Sequence, residues 1–594
     1  VVGSFPDFSW SGYTAMNGSA FDQRPKTQDL KVYEWTDNLT WVKGRNIYKF
    51  GTKIRRWVPL FTDSKQYQGQ WNFNASITQS PTITAGTGDA FADFMLGYPR
   101  QVTRAFPADT FGGEGNYYHF YFQDDIKVNN RLTLNLGLRY EYSPWLKGYR
   151  GQLGAFDPKL AKPVIIAGNG DQIDLSAQFA GPSSFNLFKD FIQTSSQAGL
   201  PLSITSADKK QLAPRFGFAW RPFGDRTVLR GGYGIFYETE NTDGRVNNNM
   251  IPFKLDETAF NDQTPAARTM ADFFLGRALT TTAAPSLGPT YTKLRMGYDQ
   301  HWNFGVQHEL FPNTVVEVDY VGNKGAFLNG TNAANNPPAG AGAIQARRPH
   351  PRFGAINYFS QDVSTIYHSL QAKLEKRLSA GVWYLLSYTF SKSIQHQNAP
   401  AVGGNTAWER SLTDFDIPHN LAASWGYELP VGRGKRLLNG ANGFTDALLG
   451  GWQVQGIVVV RSGRPFTPTI TADRANIGVG GQRPNRLSSG KLDNSTVERW
   501  FDVSAFSLPA QFSYGNSGAN ILREDRFKTF DFSVFKQFRI TEGSQLQFRA
   551  EVFNVTNTAS FNAPNTQIDT AAGGRVTSTA SLPRQIQFAL KYNF

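Results

Sequence analysis

Few groupings in this sequence could carry out covalent chemistry. His308-Glu309 has two residue types of a zinc-binding helix but lacks the second histidine four positions on. Gly432-Arg433-Gly434-Lys435 lacks the upstream glycine of a phosphate-cradling loop and reads as a turn. The seven histidines (His119, His301, His308, His350, His368, His396 and His419) are scattered, with no spacing that gathers ligands around a metal. There is no cysteine, which excludes disulfides and thiolate centres. No catalytic constellation survives, so the expected protein is not an enzyme and needs no cofactor.

Binding chemistry is better represented. Asp124 and Asp125 are neighbours on a strand and point to opposite faces, so they cannot converge on one ion. Glu409, Asp414 and Asp416 can converge and are candidate calcium ligands; Asn169, Asp171 and Asp174 in a glycine-containing stretch are comparable. Arg347, Arg348, His350 and Arg352 sit in a segment stiffened by Pro349 and Pro351. Guanidinium forks suit carboxylate or phosphate, so these four are candidate contacts for an anionic solute. Trp408 and Arg410 could stack on a sugar or other ring. The competing reading gives the arginines to lipopolysaccharide phosphates or neighbouring loop acids.

These residues must be held by strands. In Gln585–Phe594 the residues Ile586, Phe588, Leu590, Tyr592 and Phe594 fall on one face, and Gln587, Ala589, Lys591 and Asn593 on the other. A membrane-crossing strand needs about 9–11 such residues, apolar toward lipid and polar toward a lumen. The pattern repeats. Gln28–Lys43 pairs with Asn46–Trp57, and Gly69–Ile77 reads as another strand. Tyr117–Val128 pairs with Arg131–Ser143, where Leu132, Leu134, Leu136, Leu138, Tyr140 and Tyr142 share one face. Further hairpins are expected at 215–221 with 227–238, 301–310 with 314–321, and 367–378 with 382–392. Strands at 420–429, 451–462, 530–538 and 545–555 complete a count of about 16–18. Arg139, Glu141, Arg549 and Glu551 fall on inward faces and are expected to form cross-strand ion pairs. Asp89–Gly97 reads as a short packed helix, with a near copy at 271–276, and residues 144–211 as one long loop.

Tight turns alternate with excursions of up to about 70 residues, the asymmetry of an outer-membrane barrel with short periplasmic turns and long external loops. A propeller or stacked sandwiches would give even spacing and sequence repeats, which are absent. Composition agrees: 14% aromatic residues, with 47 Phe and 23 Tyr, at a mean hydropathy of −0.39. No apolar run approaches the roughly 18 residues of a transmembrane helix. The net charge of +13 comes without a basic run or a nucleic-acid motif, so nucleic acid is not an expected partner. The expected class is all-β, a transmembrane antiparallel barrel with long external loops bearing short helices.

Several phrases carry a resemblance. Asp37-Asn38-Leu39-Thr40-Trp41-Val42-Lys43-Gly44, Gln123-Asp124-Asp125 and Leu132-Thr133-Leu134-Asn135-Leu136-Gly137-Leu138-Arg139-Tyr140-Glu141 resemble TonB-dependent outer-membrane receptors, most closely the Oar-like group. Arg347-Arg348-Pro349, Tyr388-Thr389-Phe390-Ser391-Lys392-Ser393 and Phe548-Arg549-Ala550-Glu551-Val552-Phe553-Asn554 are similar to the same group. The resemblance implies a barrel of about 22 strands, normally filled by an N-terminal plug whose motif engages the TonB energy-transducing complex. It implies import of a bulky or scarce solute: an oligosaccharide, a peptide or a metal chelate. No signal peptide, TonB box or plug is recognisable, so residues 1–594 are expected to be the C-terminal barrel portion of a longer chain. The resemblance also makes Phe588, Tyr592 and Phe594 the signal read by the barrel assembly machinery. Lipid and lipopolysaccharide of a Gram-negative-type outer membrane are the expected surroundings. The alternative is a non-transporting structural or adhesive barrel whose loops bind partners.

Overall fold

Side chains that alternate between greasy and wet separate onto the two faces of a sheet, and here they do so on one sheet. The computed structural model describes residues 6–16, 26–63, 69–80, 82, 87–106, 110–168, 188–238, 255–261, 268–273, 284, 287, 290–291, 295–398, 408–541 and 543–594. The wall strands are β1 (Lys26–Lys43), β2 (Asn46–Asp63), β3 (Thr110–Asn129), β4 (Leu132–Tyr142) and β5 (Leu212–Trp220). Then come β6 (Thr227–Tyr237), β7 (Tyr298–Phe311), β8 (Thr314–Ala333), β9 (Asn357–Ser379) and β10 (Val382–Asn398). The last are β11 (His419–Glu428), β12 (Trp452–Arg461), β13 (Phe527–Arg539), β14 (Gln545–Phe553) and β15 (Gln585–Asn593). Each pairs antiparallel with the next in sequence, an up-and-down barrel wall. Among the described residues β1 bonds only β2, and β15 only β14.

The faces keep their character across strand boundaries. Phe304, Tyr320, Leu370 and Phe390 lie in one cross-strand row, each between 41% and 51% exposed. The adjoining row is Gly305, Asp319, Gln371, Thr389 and Asn420. Large apolar side chains that no second sheet covers belong against hydrocarbon, so the first row faces lipid and the second the lumen. Aromatic pairs mark both rims: Tyr118 on Tyr142 at 6.3 Å and Tyr237 near Tyr298 at 5.8 Å at one end, Trp41 near Tyr48 at 5.4 Å at the other. Rings with a polar edge sit well at the membrane–water interface. No described helix is long and apolar enough to cross a membrane.

Tight turns close one end. Gly44 takes φ +61°, the left-handed conformation that a two-residue hairpin turn requires. At Ser379-Ala380-Gly381 the last two residues are left-handed, at +52° and +78°. The opposite end carries the long loops. The β11–β12 connection, residues 429–451, stands out among the turns because it contains a helix.

Two expectations need correction. The strand expected at Gly69–Ile77 is Gln70–Phe73, and it leaves the wall for a four-stranded sheet with Asp7–Trp10, Gln101–Phe106 and Leu255–Phe260. Its apolar residues find a separate core, where Phe8, Trp10, Trp71, Phe73, Val102 and Phe273 pack together. The helix α1 (Ala90–Met95) closes that core, capped by Asp89, whose carboxylate accepts the Ala92 N–H. The near copy contributes a turn at 270–273, and its remainder lies outside the described residues. The other correction concerns 144–211. Gly154–Phe156, Val164–Ile166 and Ile192–Thr194 pair as short strands there. Phe156, Val164, Ile166, Phe188 and Ile192 share a core with Leu287, Phe353 and Ile356. Burying each such side chain is worth about 1.5–3 kcal/mol, enough to hold a long connection in one conformation. Among the described residues the wall thus has β1–β15, slightly fewer strands than alternation suggested.

Candidate functional site

Two surfaces gather the charged and polar side chains: the lumen face of the wall and the folded loops above it. The lumen face carries several ion pairs. Lys49 meets Asp125 at 2.7 Å, Lys53 and Arg55 share Glu34 at 3.0 and 2.9 Å, and Lys373 meets Glu375 at 2.9 Å. Arg139 bonds Glu141 at 2.5 Å and Arg549 bonds Glu551 at 3.2 Å. Both of these pairs run along a strand, correcting the cross-strand expectation. Residues two apart share a face, and an arginine is long enough to reach back over its neighbour. Arg139 also contacts His119 Nδ1 at 2.7 Å. Solvent-screened pairs of this kind are individually weak. With Arg215, Arg230, Glu317 and Asp319 on the same inward rows, they make the inner surface wet and charged. Asp124 and Asp125 diverge as expected: Asp124 accepts from Asn46 Nδ2 at 2.6 Å, and Asp125 from Asn135 and Lys49.

The arginine segment 347–352 lies in the β8–β9 connection, beside helix α2 (Ile344–Arg347). Arg347 donates to the Pro338 carbonyl at 2.6 Å and to the Asn476 carbonyl. Arg348 donates to the Asn335 carbonyl at 2.7 Å and to Gln345 Oε1 at 3.1 Å. His350 meets Phe156 edge to face at 5.4 Å, and the Arg352 guanidinium lies over the Phe191 ring at 5.8 Å. Burial pushes the pKa of both Arg348 and His350 down, which leaves the His350 imidazole neutral at physiological pH. The segment therefore joins three connections, with the cations used largely on protein groups. Asn335 organises it: fully buried, it donates to the Phe353 and Gly354 carbonyls at 3.0 and 2.7 Å and accepts the His350 N–H at 2.7 Å.

The three proposed calcium ligands do not converge. Glu409, in the strand Trp408–Leu412 paired to the far end of β10, takes both forks of Arg483 at 2.6 and 2.5 Å and the Ala519 N–H at 2.9 Å. Asp414 accepts from Asn520 Nδ2 at 2.7 Å. Asp416, 1% exposed, takes Arg523 at 2.5 Å and the Ser393 N–H at 2.6 Å. Each carboxylate is already neutralised or hydrogen-bonded, and no described cluster of His, Asp and Glu could hold a metal ion. Asn169, Asp171 and Asp174 lie outside the described residues, as does the Trp408 side chain. Arg410 is exposed. Spacing gave no sign of Arg483 and Arg523, which stand 74 and 107 residues from their acids.

These pairs fix the β12–β13 connection, which has its own core of Phe466, Phe501, Phe506 and Leu522. Between this connection and the strand ends lies a cavity of about 870 Å³, lined among others by His419, Lys491, Trp500, Glu524 and Lys528. His419 and Lys528 stand at the long-loop ends of β11 and β13 on outward rows, so the cavity lies at the long-loop rim on the outer side of the wall. Burial raises the pKa of Glu524, opposed by Arg464 and Arg461. At the other end of the wall Tyr592 stacks on Phe594 at 5.7 Å, and Phe588 and Phe594 are 71% and 96% exposed.

Among solved structures, the outer membrane transporter YddB from Escherichia coli aligns with 96% of this chain and 54% of its own, at 11% identity and a TM-score of 0.47. The siderophore receptor PirA from Acinetobacter baumannii aligns over 96% and 55%, at 9% identity and 0.43. The ferric citrate transporter FecA aligns over 96% and 55%, at 10% and 0.42. The chain thus spans little more than half the length of these structures. None of the curated proteins compared with it matches. A family model described as "Outer membrane beta barrel domain" matches residues 1–587, in keeping with the paired strands, the apolar outward rows and the two aromatic rims. The chain belongs to that outer-membrane β-barrel family.

Proposed function

We propose that this chain is the wall and outer loop assembly of a TonB-dependent receptor that imports a bulky or scarce solute through a plug-gated lumen. The observation that carries the reading is a wet, charged lumen face lying beneath connections folded around cores of their own. A passive pore needs the wet face alone; connections folded around their own cores suit capture. The phrases resembling Oar-like receptors add the partners: the TonB complex through a plug-bearing region, and the assembly machinery through Phe588, Tyr592 and Phe594. The solute contacts proposed are Arg347, Arg348, His350, Arg352, Trp408 and Arg410, with the rim cavity beside Lys491 and Trp500. Capture and passage need no covalent chemistry.

Native protein purified from its own membranes is expected to retain a small molecule identifiable by mass spectrometry. Uptake of that molecule should stop when the gene is deleted and when TonB is removed. Retention without TonB-dependent uptake would overturn transport and support the second reading, a structural or adhesive barrel. One observation favours that second reading: Arg347 and Arg348 are bonded to protein carbonyls, which suits a rigid display surface.

A further inference from the structure

Lys536 is out of place. It falls on the outward row of β13, level with Trp452 and Phe548, where the wall meets lipid, yet it is 2% exposed. What covers it is the β11–β12 connection. That connection carries α3 (Gly443–Leu449), capped by Asn442, whose side chain accepts the Thr445 N–H. Lys536 Nζ reaches the Asp446 carbonyl at 3.4 Å and sits over the Trp452 and Phe538 rings at 5.5 and 5.0 Å. Trp452 Nε1 donates to the Leu448 carbonyl at 2.9 Å. Two outward side chains are thus bonded to helix carbonyls, so the helix lies flat against the lipid-facing side of the wall at its tight-turn end.

The far side of this connection is apolar without cover. Phe444 is 81% exposed, Leu448 59%, Leu437 54%, Leu438 47% and Leu449 45%. A helix against the outer surface of a barrel projects its free face into the same medium that the wall meets, so the patch continues the hydrocarbon-facing surface. The preceding turn supplies Arg433, Lys435 and Arg436, all exposed. Lys435 reaches Glu428 at 3.3 Å, and Asp446 turns its carboxylate inward to the Arg433 N–H at 2.6 Å. The acids are thus drawn toward the wall, while Arg436 and the Arg433 guanidinium, which donates to the Ala441 carbonyl at 3.4 Å, stay exposed at the rim.

We propose that residues 430–451 are an interfacial foot: Phe444, Leu448 and Leu449 enter the periplasm-side leaflet, and Arg433 and Arg436 hold its anionic phospholipid headgroups. Lys536 and Trp452 pin the foot to the wall. The foot acts as a depth stop, fixing how far the barrel sinks and reading the charge of the leaflet beneath it.

Because the chain has no cysteine, a single reporter can be placed cleanly. The full chain carrying Phe444→Cys, labelled with an environment-sensitive fluorophore, is refolded into phosphatidylethanolamine/phosphatidylglycerol vesicles. Asn130→Cys, in an ordinary turn at the same end, serves as reference. The expected result is quenching at position 444 by lipids bearing a nitroxide high on the acyl chain, with several-fold less iodide quenching than at 130. Equal iodide access at both positions overturns the proposal. So does shielding at 444 that rises with protein concentration in detergent, since it would assign the face to a second copy of the chain. Arg433→Gln combined with Arg436→Gln should reduce phosphatidylglycerol retained in native mass spectrometry severalfold, leaving phosphatidylethanolamine unchanged. Unchanged phosphatidylglycerol retention removes the headgroup role. Heat-modifiable migration of every variant verifies that the wall is folded.

Discussion

Replacing Arg483 with alanine is the sharpest probe of the loop assembly. Glu409 and Arg483 are 17% and 10% exposed and joined by both guanidinium forks. Removing the cation leaves a carboxylate held in place by the Ala519 N–H with its charge unbalanced. Breaking a buried pair costs about 3–5 kcal/mol; the remaining exposure lets water offset part of that, leaving about 2–3 kcal/mol. At about 1.4 kcal/mol per tenfold, local opening should rise roughly 30- to 150-fold. The readout is hydrogen exchange at amides 517–523 in the folded barrel, with the centres of β3 and β4 as unaffected references. The pH dependence supplies a second test. Burial pushes the Glu409 pKa up, but the Arg483 guanidinium and the Ala519 N–H outweigh it and hold the carboxyl below its ordinary value. A depressed carboxyl pKa adds stability that is complete above the unfolded value of about 4.3 and is lost as pH falls through the lower folded value. The wild-type assembly should therefore loosen in acid, and the Arg483→Ala variant should have lost most of that acid transition. Glu409→Gln with Arg483→Met should recover much of the protection. Wild-type exchange and an unchanged acid limb in Arg483→Ala would refute the reasoning.

Other perturbations separate the surfaces. Leu136→Arg places a cation on the lipid face of β4 and should cost about 2–4 kcal/mol in denaturant unfolding from bilayers. Thr133→Arg, on the lumen face of the same strand, should cost less than about 1 kcal/mol; equal losses would contradict the assigned faces. Asp93 is fully buried and accepts the Thr78 and Ile77 N–H groups at 2.8 and 3.2 Å. Asp93→Ala strands both donors and should cost the four-stranded sheet about 1–3 kcal/mol, seen as faster proteolysis between residues 69 and 106 with the wall intact. Deleting Phe594 should lower the yield of heat-modifiable protein in the outer membrane, and unchanged yield would remove its role in assembly.

The wall was legible because two solvents write a period of two into every strand. Leu132 through Tyr142 could be sorted into faces from sequence alone, and register followed from the turns at Lys43-Gly44-Arg45 and Ser379-Ala380-Gly381. What alternation does not encode is which sheet a strand joins. Gln70–Phe73 reads locally like its neighbours, and only the distant Phe8, Val102 and Phe273 draw it into another core. The loop pairs were invisible for a related reason. Asp416 and Arg523 meet across 107 residues, and no spacing rule reaches that far. Glu409, Asp414 and Asp416 are close enough in sequence to suggest a shared ion, yet each finds a separate partner supplied by residues 483–523.

That outcome changes how the basic loops should be understood. A guanidinium offers about five N–H donors. Arg347 and Arg348 each commit donors to two protein oxygens, so gripping an anion bidentately would mean releasing a contact between connections. Their charge persists even where their geometry is occupied. On the proposed capture reading it acts at a distance on an anionic solute, while close contacts fall to exposed groups such as Arg410. On that reading, attraction and selection are divided among different side chains. A substitution at Arg347 or Arg348 therefore disturbs the packing of the connections and their potential together, whereas one at the exposed Arg410 leaves those contacts intact.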